Sequence, residues 1–221
     1  MGMQIKDIIL IDEVTQKTGT NSCLWKGEWP TNSEAGELLK NNKNHPFSLL
    51  ELGNQYLKAP FNGPAKKYFN KIGISHTSID LNGASGALKL DLTQDLRDVF
   101  KEKFDIITNF GTSEHVRKQY PCWANIHNLC KKEGHFVMAL PPVGGWKDHG
   151  DCWFWYTEKF FEELTRLNDY DIIKMYRRGS SAYPKLMLVI KKNKDNEFMS
   201  EKEFQNIESL FYTKWDGHVN E

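Results

Sequence analysis

Three carboxylates and two glycine turns are the groups in this chain whose types and spacing could do chemistry. Glu51 sits near the end of the apolar run Phe47-Ser-Leu-Leu-Glu-Leu-Gly, Asp80 near the end of Ile74 to Leu81, and Asp91 near the end of Ala87 to Leu92. Each run has the length and composition of a buried strand stopped by a turn. A fourth, Phe104-Asp-Ile-Ile-Thr-Asn-Phe-Gly, ends on Asn109, Phe110 and Gly111. In an open parallel sheet, ligands collect beyond the carboxyl ends of the strands. Glu51, Asp80 and Asp91 would then share one rim with the turns at Gly53 and Gly111. Carboxylates accept hydrogen bonds from hydroxyls and amines and favour a cation. They serve a phosphate badly. The turn after Leu52 also lacks the Gly-x-Gly-x-x-Gly spacing that lets a pyrophosphate approach a helix N-terminus, because Asn54 and Gln55 follow Gly53.

The elements that would position these groups alternate along the chain. A strand over Phe47 to Gly53 is followed by a helix from Pro64 to Ile72, with Ala65, Tyr68, Phe69 and Ile72 at helical spacing and Gly73 as the stop. Strands at Ile74–Leu81 and Ala87–Leu92 precede a helix over Thr93–Lys103. The Phe104 strand precedes a helix over Ser113–Lys132, interrupted at Pro121. A fifth strand covers Gly134–Leu140, and Thr157 caps a helix to Asn168 with Phe160, Phe161 and Leu164 inward. The last strands are Asp171–Tyr176 and Lys185–Lys191. Their connection, Arg177 to Pro184, is too short for a parallel crossover, so they should pair antiparallel. The expected fold is α/β, a three-layer sandwich on a Rossmann-like, mostly parallel sheet. Ser200-x-x-Glu203 is a capping box ahead of the stripe Phe204, Ile207, Phe211 and Trp215, read as a helix docked on the same domain, with a dimer contact as the alternative.

Composition narrows the functional classes. The 221 residues hold 29 basic and 29 acidic side chains, for no net charge, with 39% hydrophobic residues and a negative mean hydropathy. That balance argues against a long nucleic-acid surface. No apolar run is long enough to span a membrane, and Asp7, Asp12 and Glu13 break the aliphatic block at the start, so a cytoplasmic protein is expected. Cys23, Cys122, Cys130 and Cys152 are few and scattered, which suits a reducing compartment. Cys122, His127 and Cys130 match no common zinc spacing, so no metal is expected. Asn109 is followed by Phe-Gly-Thr, so the Asn-Pro-Pro-Tyr signature of amino methylation in DNA is absent.

A phosphate-free ligand with hydroxyls and a cationic centre fits the acidic rim, and S-adenosylmethionine is such a molecule. The ordered set of strand ends resembles the class I S-adenosylmethionine-dependent methyltransferases over Phe47 to Lys191. Leu49-Leu-Glu-Leu-Gly53 is similar to that family's first motif, Ser78-Ile-Asp-Leu81 to its second and Leu90-Asp-Leu92 to its third. Phe104–Val116 and Gly134–Met138 are similar to the next two segments, and Trp155-Tyr-Thr-Glu158 to the start of the following helix. The family fold has seven strands with the last antiparallel. The resemblance implies a cofactor site of Glu51, Gly53, Asn54, Asp80, Leu81, Asp91, Leu92, Asn109 and Phe110. In it Glu51 orients the turn and Gly53 makes room for the amino-acid end. Asp80 accepts the ribose hydroxyls, Asp91 the adenine amino group, and Leu92 lies against the ring. Asn109 and Phe110 line the sulfonium side. The family commonly has a second glycine where Gln55 stands, which means either a turn tailored to a subfamily or a weaker hold on the cofactor.

Methyl transfer from a sulfonium is a direct displacement, and a base is needed only if the acceptor must lose a proton. His115 and His149 are the candidate bases, since imidazole titrates near neutrality. Trp146, Trp153 and Trp155, in a loop with paired glycines, are the candidate acceptor site, for a small molecule or a sugar. The organisation expected is an arm or lid over residues 1–46, carrying Trp25, Trp29 and a helix over Ser33–Lys40, then a methyltransferase domain over 47–192 and a helical appendage over 193–221. Two other readings remain. A nicotinamide-dependent oxidoreductase would want the missing glycines, and a non-catalytic module keeping the fold for assembly is favoured by Gln55.

Overall fold

Among the described residues, seven strands of two to eleven residues form the central sheet. The computed structural model describes residues 11, 47–58, 61–71, 74–100, 103–144, 152–181, 183–208, 210, 212 and 213. The strands are β1 (Ser48–Leu52), β2 (Ser75–Asp80), β3 (Leu88–Lys89), β4 (Phe104–Phe110), β5 (Cys130–Leu140), β6 (Tyr170–Gly179) and β7 (Pro184–Lys192), in the spatial order β3-β2-β1-β4-β5-β7-β6. β1 to β5 pair in parallel, and β7 runs antiparallel to both β5 and β6. The short link after Gly179 makes the hairpin that its length demands. Strand order reverses between β1 and β4, which sets the ligand crevice at their carboxyl ends.

Side chains alternate across the sheet, so each central strand feeds two cores. On one face Leu50, Ile107, Phe136, Met138 and Leu188 pack with Trp123 and Ile126 of α2 (Gln119–Leu129), Phe160 and Phe161 of α3 (Glu158–Asn168), and Phe204 and Ile207 of α4 (Glu201–Glu208). On the other, Leu49, Ile106, Phe110, Val137 and Val189 meet Ala65 and Phe69 of α1 (Ala65–Lys71), with Ile11 fully buried in the same cluster. Apart from Ile11, the expected arm over residues 1–46 lies outside the described residues, as do Phe211 and Trp215 of the tail stripe. The capping box forms: Ser200 Oγ donates to Glu203 Oε2 at 2.7 Å, and Glu203 N donates back to Ser200 Oγ at 3.3 Å. Thr157 likewise caps α3 by accepting from Phe160 N at 3.1 Å.

Several elements differ from the sequence pattern. The third strand is Leu88–Lys89 where Ala87–Leu92 is expected, because Leu90 to Leu92 run on into the following turns. Residues 92–100 form turns in place of the expected helix, because Asn125 of α2 takes their backbone groups. Its Nδ2 donates to Leu92 O (2.9 Å) and Gln94 O (2.6 Å), and its Oδ1 accepts from Leu96 N (3.0 Å). The helix expected over Ser113–Lys132 is a 3-10 turn at Ser113–His115 followed by α2, so Pro121 falls in the first turn of α2, where an N–H is unpaired in any helix. β5 starts at Cys130, four residues early. It pairs with Phe104 there, then bulges so that Ile106 meets His135. Gly134 makes the bulge fit: a Cβ there would stand 2.6 Å from Cys130 Sγ and 2.8 Å from Lys131 O.

A polar cluster is buried at the other end of the sheet, away from the crevice. Lys192, fully buried, donates to His127 O (3.0 Å) and Cys130 O (3.2 Å). His127 Nε2 lies 2.6 Å from Asn196 O and so carries the proton, which makes Nδ1 the acceptor for the Tyr170 hydroxyl. Burial, and then the Lys192 ammonium, push the His127 pKa down to about 4. The folded value lies below the ordinary one of about 6.5, so the neutral ring's contribution is complete above that value and is lost as pH falls toward the folded pKa. Lowering pH from 7 to about 4.5 should therefore cost about 2 kcal/mol through this residue, or roughly 5 °C in Tm. Thermal melts across that window should show a shallower pH dependence in His127→Asn. Parallel curves for the two proteins would assign the acid sensitivity elsewhere.

Candidate cofactor site

The turn after β1 is built around Gly53, whose φ is +77°. Its N–H donates to Ile79 O on β2 at 2.8 Å. A Cβ on Gly53 would lie 2.5 Å from Thr112 Oγ1, a hydroxyl already donated to Leu52 O at 2.8 Å, so the loops after β1 and β4 touch at this point. The next two N–H groups also turn inward. Asn54 N donates to Asp80 Oδ2 at 2.9 Å and Gln55 N to Glu51 Oε1 at 2.9 Å. Three successive backbone donors are thus satisfied by the protein itself, and the turn offers none of them to an anion.

Glu51 is fully buried under this turn. Its Oε2 stands 3.3 Å from His76 Nε2, and the His76 ring stacks on Phe69 with centroids 5.2 Å apart. Burial raises the Glu51 pKa, while the bond to His76 works against that shift. Asp80 is half-buried at the tip of β2. Its second oxygen accepts from Asn82 N at 2.9 Å, so each carboxylate oxygen holds one backbone donor and keeps room for another. Asn54 Nδ2 donates to Ala84 O at 3.0 Å, tying the two strand tips together. Beside Asp80, Leu81 is 65% exposed, an apolar side chain presented to solvent on the rim.

Asp91 lies two residues beyond Lys89, which pairs with Asp80, so the tips of β1, β2 and β3 each bring one of the three acids. Asp91 Oδ1 accepts from Thr93 N at 2.8 Å, and Leu92 is buried. Asn125, which the sequence did not single out, sets this segment through the three bonds given above. Asn125→Ala should lower the free energy of unfolding by about 2 kcal/mol and expose residues 92–100 to limited proteolysis. Cleavage no faster than in the wild type would detach the segment from Asn125.

Asn109 and Phe110 use their side chains to build the fold. Asn109 Nδ2 donates to Ser113 Oγ (2.8 Å), and its Oδ1 accepts from Ser113 N (3.2 Å). The chain of bonds runs on from Ser113 Oγ to Tyr156 OH (3.0 Å) and from Tyr156 OH to Gln119 Oε1 (2.8 Å). Gln119 in turn accepts from Trp123 Nε1 at 3.0 Å. Burial holds the Tyr156 pKa well above the ordinary phenol value, so it stays a donor. Phe110 points to the opposite face, into the core beneath α1. Thr112, Gln119 and Tyr156 are positioning residues that spacing did not reveal; only the place of Tyr156, directly before the helix cap, hinted at a fixed role.

Of the residues expected to take an acceptor, the structure describes three. His115 is exposed, with Nε2 3.8 Å from Glu114 Oε1. Trp153 N donates to Glu114 O at 2.9 Å, and the Arg117 guanidinium carbon lies 4.1 Å from the centre of the Trp153 ring system. Trp155 is buried in a two-stranded ribbon, Phe154–Trp155 against Tyr212–Thr213. Trp146 and His149 lie outside the described residues. Among the described residues no group of three or more His, Cys, Asp or Glu side chains could hold a metal ion, and no helix is long and apolar enough to cross a membrane.

No protein-family model matches the sequence, nor does any curated protein sequence. Solved structures do match. The chain is similar to the 1,6-didemethyltoxoflavin-N1-methyltransferase of Burkholderia thailandensis with bound 1,6-didemethyltoxoflavin and S-adenosylhomocysteine, at 16% identity and a TM-score of 0.52, over 86% of this chain and 87% of that one. It is also similar to the N-methyltransferase NodS of Bradyrhizobium japonicum WM9 in complex with S-adenosylhomocysteine (13% identity, 84% and 99% of the two chains, TM-score 0.47). A third is the magnesium protoporphyrin IX methyltransferase of Synechocystis PCC 6803 with bound S-adenosylmethionine (9% identity, 85% and 97%, TM-score 0.44). The first likeness establishes the fold: this chain has the Rossmann-like fold of the class I S-adenosylmethionine-dependent methyltransferases, a mostly parallel seven-stranded sheet closed by an antiparallel hairpin.

Proposed function

We propose that this chain is an S-adenosylmethionine-dependent methyltransferase acting on a small-molecule or sugar acceptor. The observation that carries the reading is the turn at Gly53. Its N–H groups are spent on Ile79 O, Asp80 and Glu51, so it cannot cradle the phosphates of a nicotinamide dinucleotide. The same turn leaves Asp80 half-buried beside an exposed Leu81, a carboxylate next to an apolar surface, which suits a nucleoside's hydroxyls and base. The acceptors that remain therefore fit a cofactor that has hydroxyls and a positive charge and no phosphate.

S-adenosylmethionine supplies, when bound, a sulfonium methyl group ready for displacement. In this reading Asp80 takes the ribose hydroxyls, Asp91 the base amino group, and Leu81 and Leu92 the faces of the purine. Gly53 and Asn54 keep the backbone close to the amino-acid end. Glu51 acts from below by holding Gln55 N, and Asn109 by fixing the 3-10 turn after β4. Alignment of acceptor and methyl group supplies most of the acceleration. His115 and His149 are the candidates to remove an acceptor proton, and Trp146, Trp153 and Trp155 to bind the acceptor.

Isothermal titration of the purified chain with S-adenosylmethionine and S-adenosylhomocysteine tests the reading. Both should bind, and NAD should neither bind nor raise Tm. Heat with NAD and none with the sulfonium compound would replace this function with an oxidoreductase. Binding without transfer to any acceptor, in a stable complex with another protein, would favour an assembly module.

A further inference from the structure

Arg117 differs from three other arginines of the chain in what it touches. Arg97, Arg166 and Arg177 each hold a carboxylate, of Asp95, Glu163 and Glu158, at 2.6–2.8 Å. Arg117 is exposed, its guanidinium carbon lies 4.1 Å from the centre of the Trp153 ring, and no hydrogen bond or ion pair engages that guanidinium among the described residues. Glu114, the acid nearest to it in sequence, is buried, and its Oε1 stands 3.8 Å from His115 Nε2.

The stack is held from both sides. Gln119 Nε2 donates to Ser113 O at 2.8 Å and to Val116 O at 2.6 Å, which pins the backbone leading into Arg117. Trp153 N donates to Glu114 O at 2.9 Å, and the Trp153 side chain packs against the core that holds Trp123 and Phe160. Arg117 lies in the loop after β4 and Trp153 in the loop after β5, so the stack joins two loops at the carboxyl ends of neighbouring parallel strands. The crevice opens on that side of the sheet. An aromatic face orders a guanidinium and spends none of its five N–H donors. An ordered planar fork with its donors unspent matches a carboxylate, which takes two parallel N–H bonds. Lys118 beside it is exposed and adds positive charge.

We propose that the methyl acceptor carries a carboxylate, and that Arg117, ordered on Trp153, binds it through both oxygens. This deepens the function proposed above and rests on it. His115 precedes Arg117 by two residues in the same loop, so the anchor and one candidate base share a backbone.

Titration of the full chain loaded with S-adenosylhomocysteine tests it, read by nuclear magnetic resonance at the Trp153 indole N–H, which Trp153→Phe identifies. Benzoate and benzamide have the same shape and differ in charge. Benzoate should shift that signal saturably in the millimolar range, as a fragment of its size allows, and benzamide should not. Arg117→Lys keeps the charge and loses the fork, so it should weaken benzoate at least tenfold, with Tm within a few degrees of the wild type. An equal response to both compounds would make Trp153 part of an apolar cleft and overturn the proposal. So would an undiminished benzoate response in Arg117→Lys, or no saturable response in a chain that binds S-adenosylhomocysteine. A chain that binds no S-adenosylhomocysteine would instead bring down the methyltransferase reading, and a benzoate site on it would have no acceptor to hold.

Discussion

Asp80→Ala should weaken S-adenosylhomocysteine binding by about two orders of magnitude while moving Tm by only a few degrees. Each oxygen of Asp80 already holds one backbone N–H, from Asn54 and Asn82, and each has a lone-pair direction left for a ligand hydroxyl. Hydrogen bonds to a charged acceptor are worth about 1.5–3 kcal/mol, so losing the two from a ribose diol predicts a hundredfold change or more. The two backbone donors released are near solvent, which limits the stability cost to about 1 kcal/mol. Asp95→Ala is the matched control. That carboxylate is exposed and pairs with Arg97 at 2.6 Å, and its loss should change neither quantity. If Asp80→Ala binds within threefold of the wild type, the acid at the tip of β2 is a structural cap and the site lies elsewhere.

What the sequence made legible was punctuation. Leu52-Gly53 after an apolar run, Asp80 and Asp91 after two more, and the short link from Arg177 to Pro184 are local signals, and local signals set where strands stop and whether a neighbour can run parallel. The inward stripe Phe160, Phe161 and Leu164 followed from helical spacing for the same reason. What stayed hidden depends on residues distant in the chain. Residues 93–103 look helical until Asn125, some thirty positions on, claims Leu92 O, Gln94 O and Leu96 N. The alternation of Asn109 and Phe110 says that they face opposite cores, but not that Ser113 and Tyr156 engage the first. Glu51 reads as a rim carboxylate in sequence, whereas His76, two residues before its cross-strand neighbour Ser78, makes it a buried brace for the turn.

The largest loss of stability should come from Gly53→Ala, at about 3 kcal/mol. An L-residue at φ +77° carries a backbone penalty of roughly 1–2 kcal/mol. The added Cβ would also lie 2.5 Å from Thr112 Oγ1, so that hydroxyl must swing off Leu52 O, losing a bond worth about 1 kcal/mol. At about 2–4 °C per kcal/mol for a chain of this size, Tm should drop by roughly 10 °C. The two causes separate in a double-mutant cycle. Thr112→Ala removes the obstructing oxygen and should itself cost about 1 kcal/mol, and in that background Gly53→Ala should cost the backbone penalty alone once the flexible end of Gln55, 3.1 Å from the new Cβ, gives way. Equal costs in both backgrounds would show that the loops after β1 and β4 do not meet at Thr112. A Gly53→Ala protein as stable as the wild type would remove the left-handed turn altogether, and with it the inward-facing N–H groups on which the proposal of a phosphate-free cofactor rests.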